Sequence, residues 1–446
     1  MQLPEAFLAA IQNNLPNDWE ELVQSFSTDS PVSIRKHPLK SFDDGYLEPI
    51  ASTPWCAEGR YLKQRPSFTY DPIFQAGGYY VQEASSMFLE QFAQAFLANI
   101  SEPVVLDLCA APGGKSTHLL SLLEGRGVLM ANEIIANRNA ALRQNIAKWG
   151  AFNVVVTQND PKEFQRLEDV FDLIVVDAPC SGEGMFRKDN NAITEWSANN
   201  VETCIYRQEE ILTAILPALK PGGMLIYSTC TFEPGENIHR IEWLTKEYHL
   251  QCVAPAQVFE EKGVTTITCG GAFGYAFYPH KTNGEGFFIA ALQKPLVETD
   301  SKKIKLSAIE KTSPDIQQWV SLTDTNAIVS FQEEYHLVSK KYASLKDVFR
   351  KTLRIKQEGT IVCTQKGKDL IPAPELAFST SIADGVSRIE VSYEDAIRIL
   401  KCENLHFSGC QRGWHLITFK NLGLAWVKVM DNRTNNYYPN NWRILK

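Results

Sequence analysis

VVLDLCAAPGGKSTHLL, residues 104–120, decides the fold of this chain. An apolar run of strand length ends in Asp107, turns through Cys109-Ala110-Ala111-Pro112, and enters a helix-forming segment at Gly113-Gly114-Lys115. Strand, tight turn and helix in that order form the first unit of a parallel α/β sheet, with a ligand held over the turn. Glycines let the backbone approach that ligand, and a helix start offers unpaired N–H groups. AAPGGK has only two adjacent glycines, so it is not the dinucleotide fingerprint GxGxxG. Cys109 stands where GxxxxGK[ST] needs its first glycine, which excludes a nucleoside triphosphate loop.

Outward from this turn, short Val/Ile/Leu-rich runs alternate with helix-length segments. The runs are 104–110, 127–133, 153–160, 171–179 and 224–231; helices are predicted near 114–124, 136–148, 202–219 and 237–248. Two closing runs, 275–279 and 286–292, are spaced to pair as an antiparallel hairpin. The prediction is a doubly wound, Rossmann-like α/β domain over 76–295. A smaller unit precedes it at 1–75, with basic residues Arg35, Lys36, His37, Lys40, Arg60, Lys63 and Arg65. ETDSKKIKLS (298–307) reads as a linker opening a basic intermediate unit, 296–375, and an aromatic, strand-like unit closes the chain at 376–446.

The 446 residues are 44% hydrophobic and 22% charged, the composition of a globular protein of several domains. No apolar run is long enough to span a membrane, and the first residues carry acids where a secretion signal carries bases, so a cytoplasmic protein is expected. The ten cysteines form neither CxxC pairs nor Cys/His zinc spacings, so no metal is expected and most should be small core residues. The net charge of −8 speaks mildly against nucleic acid, but local charge decides binding.

Ligands in such folds lie at the carboxyl ends of the strands. There the second run supplies Glu133, an acceptor for a ribose diol, and the third supplies Asp160, suited to an adenine edge. A single acid of this kind is often only a helix cap; three at successive strand ends, counting Asp107, favour a nucleoside cofactor. The fourth run ends in Asp177-Ala178-Pro179-Cys180, the fifth in Ser228-Thr229-Cys230. Two cysteines in polar, glycine-rich turns on neighbouring strands are placed for chemistry. Adding a thiolate to carbon 6 of cytosine makes carbon 5 nucleophilic; that scheme needs a thiolate, a proton donor for N3 and a base for the carbon 5 proton. DAPC also departs from the Asn/Asp-Pro-Pro-aromatic sequence of exocyclic amine methylation.

These motifs, with GYYVQEASS (78–86), resemble the Nol/Nop/Sun family of RNA cytosine-5 methyltransferases over about half the chain. The resemblance implies S-adenosyl-L-methionine as cofactor and Cys230 as nucleophile, with Cys180 assisting product release and Asp177 holding the cytosine. It further implies a pocket lined by Asp107, Cys109, Ala110, Ala111, Pro112, Gly113, Gly114, Lys115, Glu133, Arg138, Asp160 and Asp177. It also implies an N-terminal RNA-binding domain and a C-terminal domain of the PUA type, in a monomer acting on 16S rRNA or the small ribosomal subunit. A tRNA substrate, or a non-catalytic ribosome-assembly role on a relic fold, remain the alternatives. For RNA contact, residues 340–368 set nine Lys and Arg against two acids, and Arg187-Lys188 follow the chemical site. The terminal aromatics Trp414, Trp426, Tyr437, Tyr438 and Trp442 suit core packing better than base stacking.

Overall fold

A computed structural model describes residues 3–296, 307–308, 314–331 and 333–445; the stretch read as a linker lies, up to residue 306, outside the described residues. The chain opens with helices α1 (Glu5–Asn14) and α2 (Trp19–Ser25). Strands β1 (Val32–Lys36), β2 (Pro49–Ser52) and β3 (Gly59–Leu62), the short α3 (Pro72–Gln75) and β4 (Tyr79–Val81) follow. These strands form an antiparallel sheet in the order β2-β3-β1-β4. Because Ile34 pairs with Val81, the first unit runs past the expected boundary at 75.

After α4 (Glu90–Leu97) come β5 (Val104–Asp107), α5 (Gly114–Leu123), β6 (Val128–Asn132), α6 (Ala136–Trp149), β7 (Val154–Thr157) and β8 (Phe171–Asp177). Then follow α7 (Asn190–Glu195), α8 (Ala198–Ile215), β9 (Leu219–Thr229), α9 (Ile238–Glu247), β10 (Gln251–Val253), β11 (Thr265–Cys269), β12 (Ala272–Phe277) and β13 (Phe287–Gln293). Strands β7, β6, β5, β8 and β9 are parallel neighbours, and their β-branched residues are buried on both faces, the condition for a central parallel sheet. Val105 packs beneath α4, α5 and α6, while Val104 and Leu106 face the layer of α8 and α9. The predicted closing hairpin is present, with Tyr275 opposite Ile289 and β13 antiparallel to β9. Helix α8 starts four residues before the predicted 202, because the Ser197 side chain accepts from Asn200 N–H and caps it there.

The remaining elements are α10 (Pro314–Gln317), β14 (Asn326–Phe331), β15 (Glu334–Ser339), α11 (Lys340–Thr352), β16 (Ile355–Glu358), β17 (Thr360–Lys366) and β18 (Asp369–Pro372). The last unit holds β19 (Arg388–Glu390), α12 (Tyr393–Leu400), β20 (Gly413–Phe419), β21 (Leu422–Val429) and β22 (Thr434–Asn436). The intermediate unit is not self-contained. Its β16 leaves the β14-β15-β17-β18 sheet and pairs antiparallel with β7, closing the edge of the central sheet. Helix α11 likewise buries Tyr342 and Phe349 in the core beneath that sheet. The N-terminal sheet and the last unit share a separate core, with Ile34, Ile73 and Tyr79 alongside Leu376, Leu416 and Trp426.

Much of the basic character read as surface is therefore internal. Arg35, His37 and Lys40 are buried: Lys40 donates to the carbonyls of Ala76 and Lys148, and His37 meets the carbonyl of Trp149. Burial holds the Lys40 ammonium down at about 7. In the 340–368 run, Arg350 makes a two-pronged pair with Glu358, and Lys346 is buried. Arg187 donates to Glu285 and to the carbonyl of Gly284, and so is not free to hold phosphate. Of the terminal aromatics, Trp426 and Tyr438 are buried, Trp426 edge-on to Trp319.

Candidate active site

At the carboxyl end of β5 the chain turns sharply, and Gly113 enters α5 with φ of 116°, a conformation that favours glycine. Asp107 lies behind this turn. It is fully buried, one oxygen accepts from Ser116 Oγ at 2.6 Å, and the other has no partner among the described residues. Burial raises its carboxyl to about 7, and Asp107 is not among the residues lining the two cavities beside the turn. Arg35 braces the same turn from the N-terminal sheet, donating to Thr117 Oγ1 (2.7 Å), Ser121 Oγ and Gln82 Oε1 and stacking over Trp149. Nothing in the sequence marks this strut, since a basic residue before a turn-rich stretch reads as surface.

Two cavities flank the turn. The larger, about 520 Å³, is lined by Cys109, Glu133, Arg138 and Asp160 together with Ile134, Ile135, Pro179 and Ile211. Glu133 accepts from Ile135 N–H, and Arg138 donates to the carbonyl of Ala111. Asp160 caps the helical turn that follows it, reciprocally with Glu163, so the ordinary capping reading holds alongside its place on the cleft wall. The smaller cavity, about 190 Å³, brings Ala110, Ala111, Pro112, Gly114, Lys115 and Asp177 against Tyr80, Gln82 and Glu83 of the N-terminal unit. Lys115 pairs with Asp177 at 2.8 Å, and the second Asp177 oxygen accepts from Ser228 Oγ at 2.7 Å.

Beyond Asp177 and Thr229 the predicted cysteines meet, with Cys180 Sγ 3.3 Å from Cys230 Sγ. The hydrogen bond with Cys230, then burial, pushes the Cys180 thiol far above its ordinary range. Two carboxylates not singled out from the sequence hold this pair in register. Glu236, from the loop after Cys230, accepts from Ser181 N–H and from Gln208 Nε2 on α8. Glu183, from the loop after Cys180, accepts from Thr231 Oγ1, Phe232 N–H and Trp196 Nε1. Each loop is thus tied by an acid from the other. The signal was present in PCSGEG and TFEPGEN, but only the crossing of the loops gives those glutamates a purpose. Gly184 lets the loops touch, its N–H donating to the carbonyl of Cys230 at 2.8 Å.

Behind α5, Cys56, Glu90 and His118 bring potential ligand atoms within 4.8 Å of one another, a buried trio that sequence spacing did not reveal. Glu90 and His118 Nε2 already pair at 2.9 Å.

Three family models match in chain order: the N-terminal domain of 16S rRNA methyltransferase RsmF over 3–84, 16S rRNA methyltransferase RsmB/F over 94–293, and the methyltransferase RsmF PUA domain over 386–444. The chain belongs to the RsmB/F family. The Nol/Nop/Sun resemblance drawn from the motifs is borne out. Ribosomal RNA small subunit methyltransferase F of Pectobacterium atrosepticum is 33% identical over 308 residues, 66% of this chain and 63% of that relative. The match thus spans under two thirds of that relative's length. The like-named protein of Aliivibrio salmonicida is 29% identical over 98% of this chain and 97% of its own. A solved methyltransferase homolog protein from Pyrococcus horikoshii is 28% identical with a TM-score of 0.55, covering 65% of this chain and 95% of that one. Fold and family agree: a Rossmann-like methyltransferase domain between an N-terminal domain and a C-terminal PUA domain.

Proposed function

We propose that this protein is an S-adenosyl-L-methionine-dependent methyltransferase acting on carbon 5 of a cytosine in 16S rRNA, through a covalent bond from Cys230 to carbon 6. The observation that carries the reading is the meeting of Cys180 and Cys230 at 3.3 Å beside Asp177. The names of its relatives support rRNA as the substrate class. The larger cleft fits the cofactor: its volume is in the range of small-molecule sites, its walls mix apolar side chains with a few charged ones, and Glu133 offers a buried carboxylate to a diol. When bound, S-adenosyl-L-methionine supplies an electrophilic methyl group.

The remaining work falls to the chain's own groups. Cys230 attacks carbon 6 as a thiolate while Asp177, steadied by Lys115 and Ser228, holds the cytosine at N3 and exocyclic N4, and the proton that N3 needs passes from the Lys115 ammonium through Asp177. After carbon 5 is methylated, its proton leaves to solvent with Cys180 assisting, the N3 proton returns to Asp177, and the bond to Cys230 breaks to return the thiolate. A cytosine within a helix must first be unstacked to enter. The N-terminal and PUA-type units serve as RNA-binding domains, the former lining the smaller cavity through Tyr80, Gln82 and Glu83.

Replacing each cysteine tests the scheme. Cys230→Ala should lose turnover and form no adduct, whereas Cys180→Ala should attack, transfer methyl and stall as a protein–RNA band that survives denaturation. If the band forms with Cys230→Ala instead, the roles are reversed; if both variants turn over normally, the covalent scheme is wrong.

A further inference from the structure

Strand β16 carries charge to a place that its position in the chain does not suggest. The Arg354 N–H donates to Asn159 Oδ1 at 3.1 Å, and its carbonyl accepts from Gln158 N–H at 3.0 Å. Arg354 therefore lies just past the carboxyl end of β7, at the pole of the sheet that holds Asp160 and the cofactor cleft. Lys356 follows two residues on, at the bulge between Ile355 and Gln357. Arg143 joins them from α6, one helical turn after Asn139, whose amide fixes that face of the helix to the carbonyls of Glu133 and Thr157.

These cations differ from the rest of the basic run. Arg350 is matched by Glu358 and Lys341 by Glu102, yet among the described residues no ion pair involves Arg143, Arg354 or Lys356. They stand close enough that burial, then Arg354 and Arg143, lower the Lys356 ammonium from its ordinary value. Glu375, an acid whose charge Arg143 favours, is itself raised by burial. Three unmatched cations repel one another, and an anion relieves that repulsion. In a chain of net charge −8 such a group is a local exception, and the exposed Ile134 and Ile135 adjoin it at the cleft mouth.

We propose that Arg143, Arg354 and Lys356 form a binding surface for the phosphodiester backbone of RNA flanking the target base, with β16 placed on the sheet edge to carry it. This rests on the reading of the protein as an RNA methyltransferase. An acidic protein surface also fits three cations, but the position beside the cofactor pole favours the substrate's own backbone.

The test compares wild type, the triple variant Arg143→Ala/Arg354→Ala/Lys356→Ala and the charge-retaining Arg143→Lys/Arg354→Lys, using a 16S rRNA transcript. For the triple variant, the slope of log affinity against log salt should become shallower by about 2, at roughly 0.7 for each single-strand phosphate that the protein no longer neutralises. Its KM for RNA should rise by about tenfold or more, with kcat at saturating RNA and cofactor affinity retained, while the lysine variant stays near wild type. Wild-type binding together with an unchanged slope and KM in the triple variant overturns the proposal and leaves an acidic protein as the chemistry that fits. A wild-type protein that neither binds nor methylates rRNA overturns the functional reading itself, and this proposal with it.

Discussion

Replacing Glu183 by Gln should flatten the dependence of stability on pH. Glu183 is 2% exposed and accepts from Trp196 Nε1 (2.9 Å), Thr231 Oγ1 (2.9 Å) and Phe232 N–H (3.0 Å). Burial nevertheless dominates and pushes its carboxyl up from 4.5 to about 7, with the three donors pulling the other way. The folded chain thus keeps a proton that the unfolded chain releases as pH rises past 4.5. Glu183's contribution to stability is full below that pH and is lost as pH rises through about 7. At about 1.4 kcal/mol per pH unit the lift corresponds to about 3 kcal/mol between pH 4.5 and 8. The Gln variant cannot ionise, but its amide turns donors toward donors, at a cost of about 1–3 kcal/mol. Calorimetry should therefore find the variant less stable at pH 5, with the gap narrowing or crossing by pH 8. Measured as Tm between pH 4.5 and 8, wild type should fall further than the variant by roughly 6–12 °C, at 2–4 °C per kcal/mol for a domain near 200 residues. Parallel Tm profiles would refute the reasoning and mean that Glu183 is ionised in the fold at ordinary pH.

Glu133→Ala should weaken S-adenosyl-L-methionine by about 1–3 kcal/mol in calorimetry, the worth of a charged acceptor, and an unchanged affinity would move the ribose site elsewhere. Gly184→Ala should lower melting stability by about 1–3 kcal/mol and depress turnover, because a Cβ there meets the backbone oxygens of Gly286 and Cys230, the latter at 2.8 Å. A Gly184→Ala protein with wild-type stability would mean that the two cysteine-bearing loops tolerate separation.

The central sheet was legible because its strands are buried on both faces, so β5 to β9 announce themselves as short apolar runs between helices of ordinary length. The meeting of Cys180 and Cys230 was legible for a related reason: Asp177-Ala178-Pro179-Cys180 and Ser228-Thr229-Cys230 stand at the ends of those runs, and in a parallel sheet strand ends share one pole. Boundaries were less legible. Tyr79–Val81 reads as the entry to the catalytic domain yet pairs with β1, and Ile355–Glu358 reads as part of a separate unit yet completes the central sheet. Strand pairing at long range leaves no local periodicity from which to read a partner.

Charge shows the same division most sharply. The sequence alone determined how many cations each stretch holds, and with them the parallel sheet, the glycine turn at the end of β5, and the two cysteines on adjacent strands. Only the tertiary structure decided that Arg35 is a buried strut, that Arg187 and Arg350 are spent on Glu285 and Glu358, and that Arg143 joins Arg354 and Lys356 unmatched. Likewise, only the crossing of two loops turned Glu183 and Glu236 into braces. Periodicity and turn chemistry act over a few residues and are written locally, whereas the burial and pairing of a charge depend on what the fold brings to it from tens or hundreds of residues away.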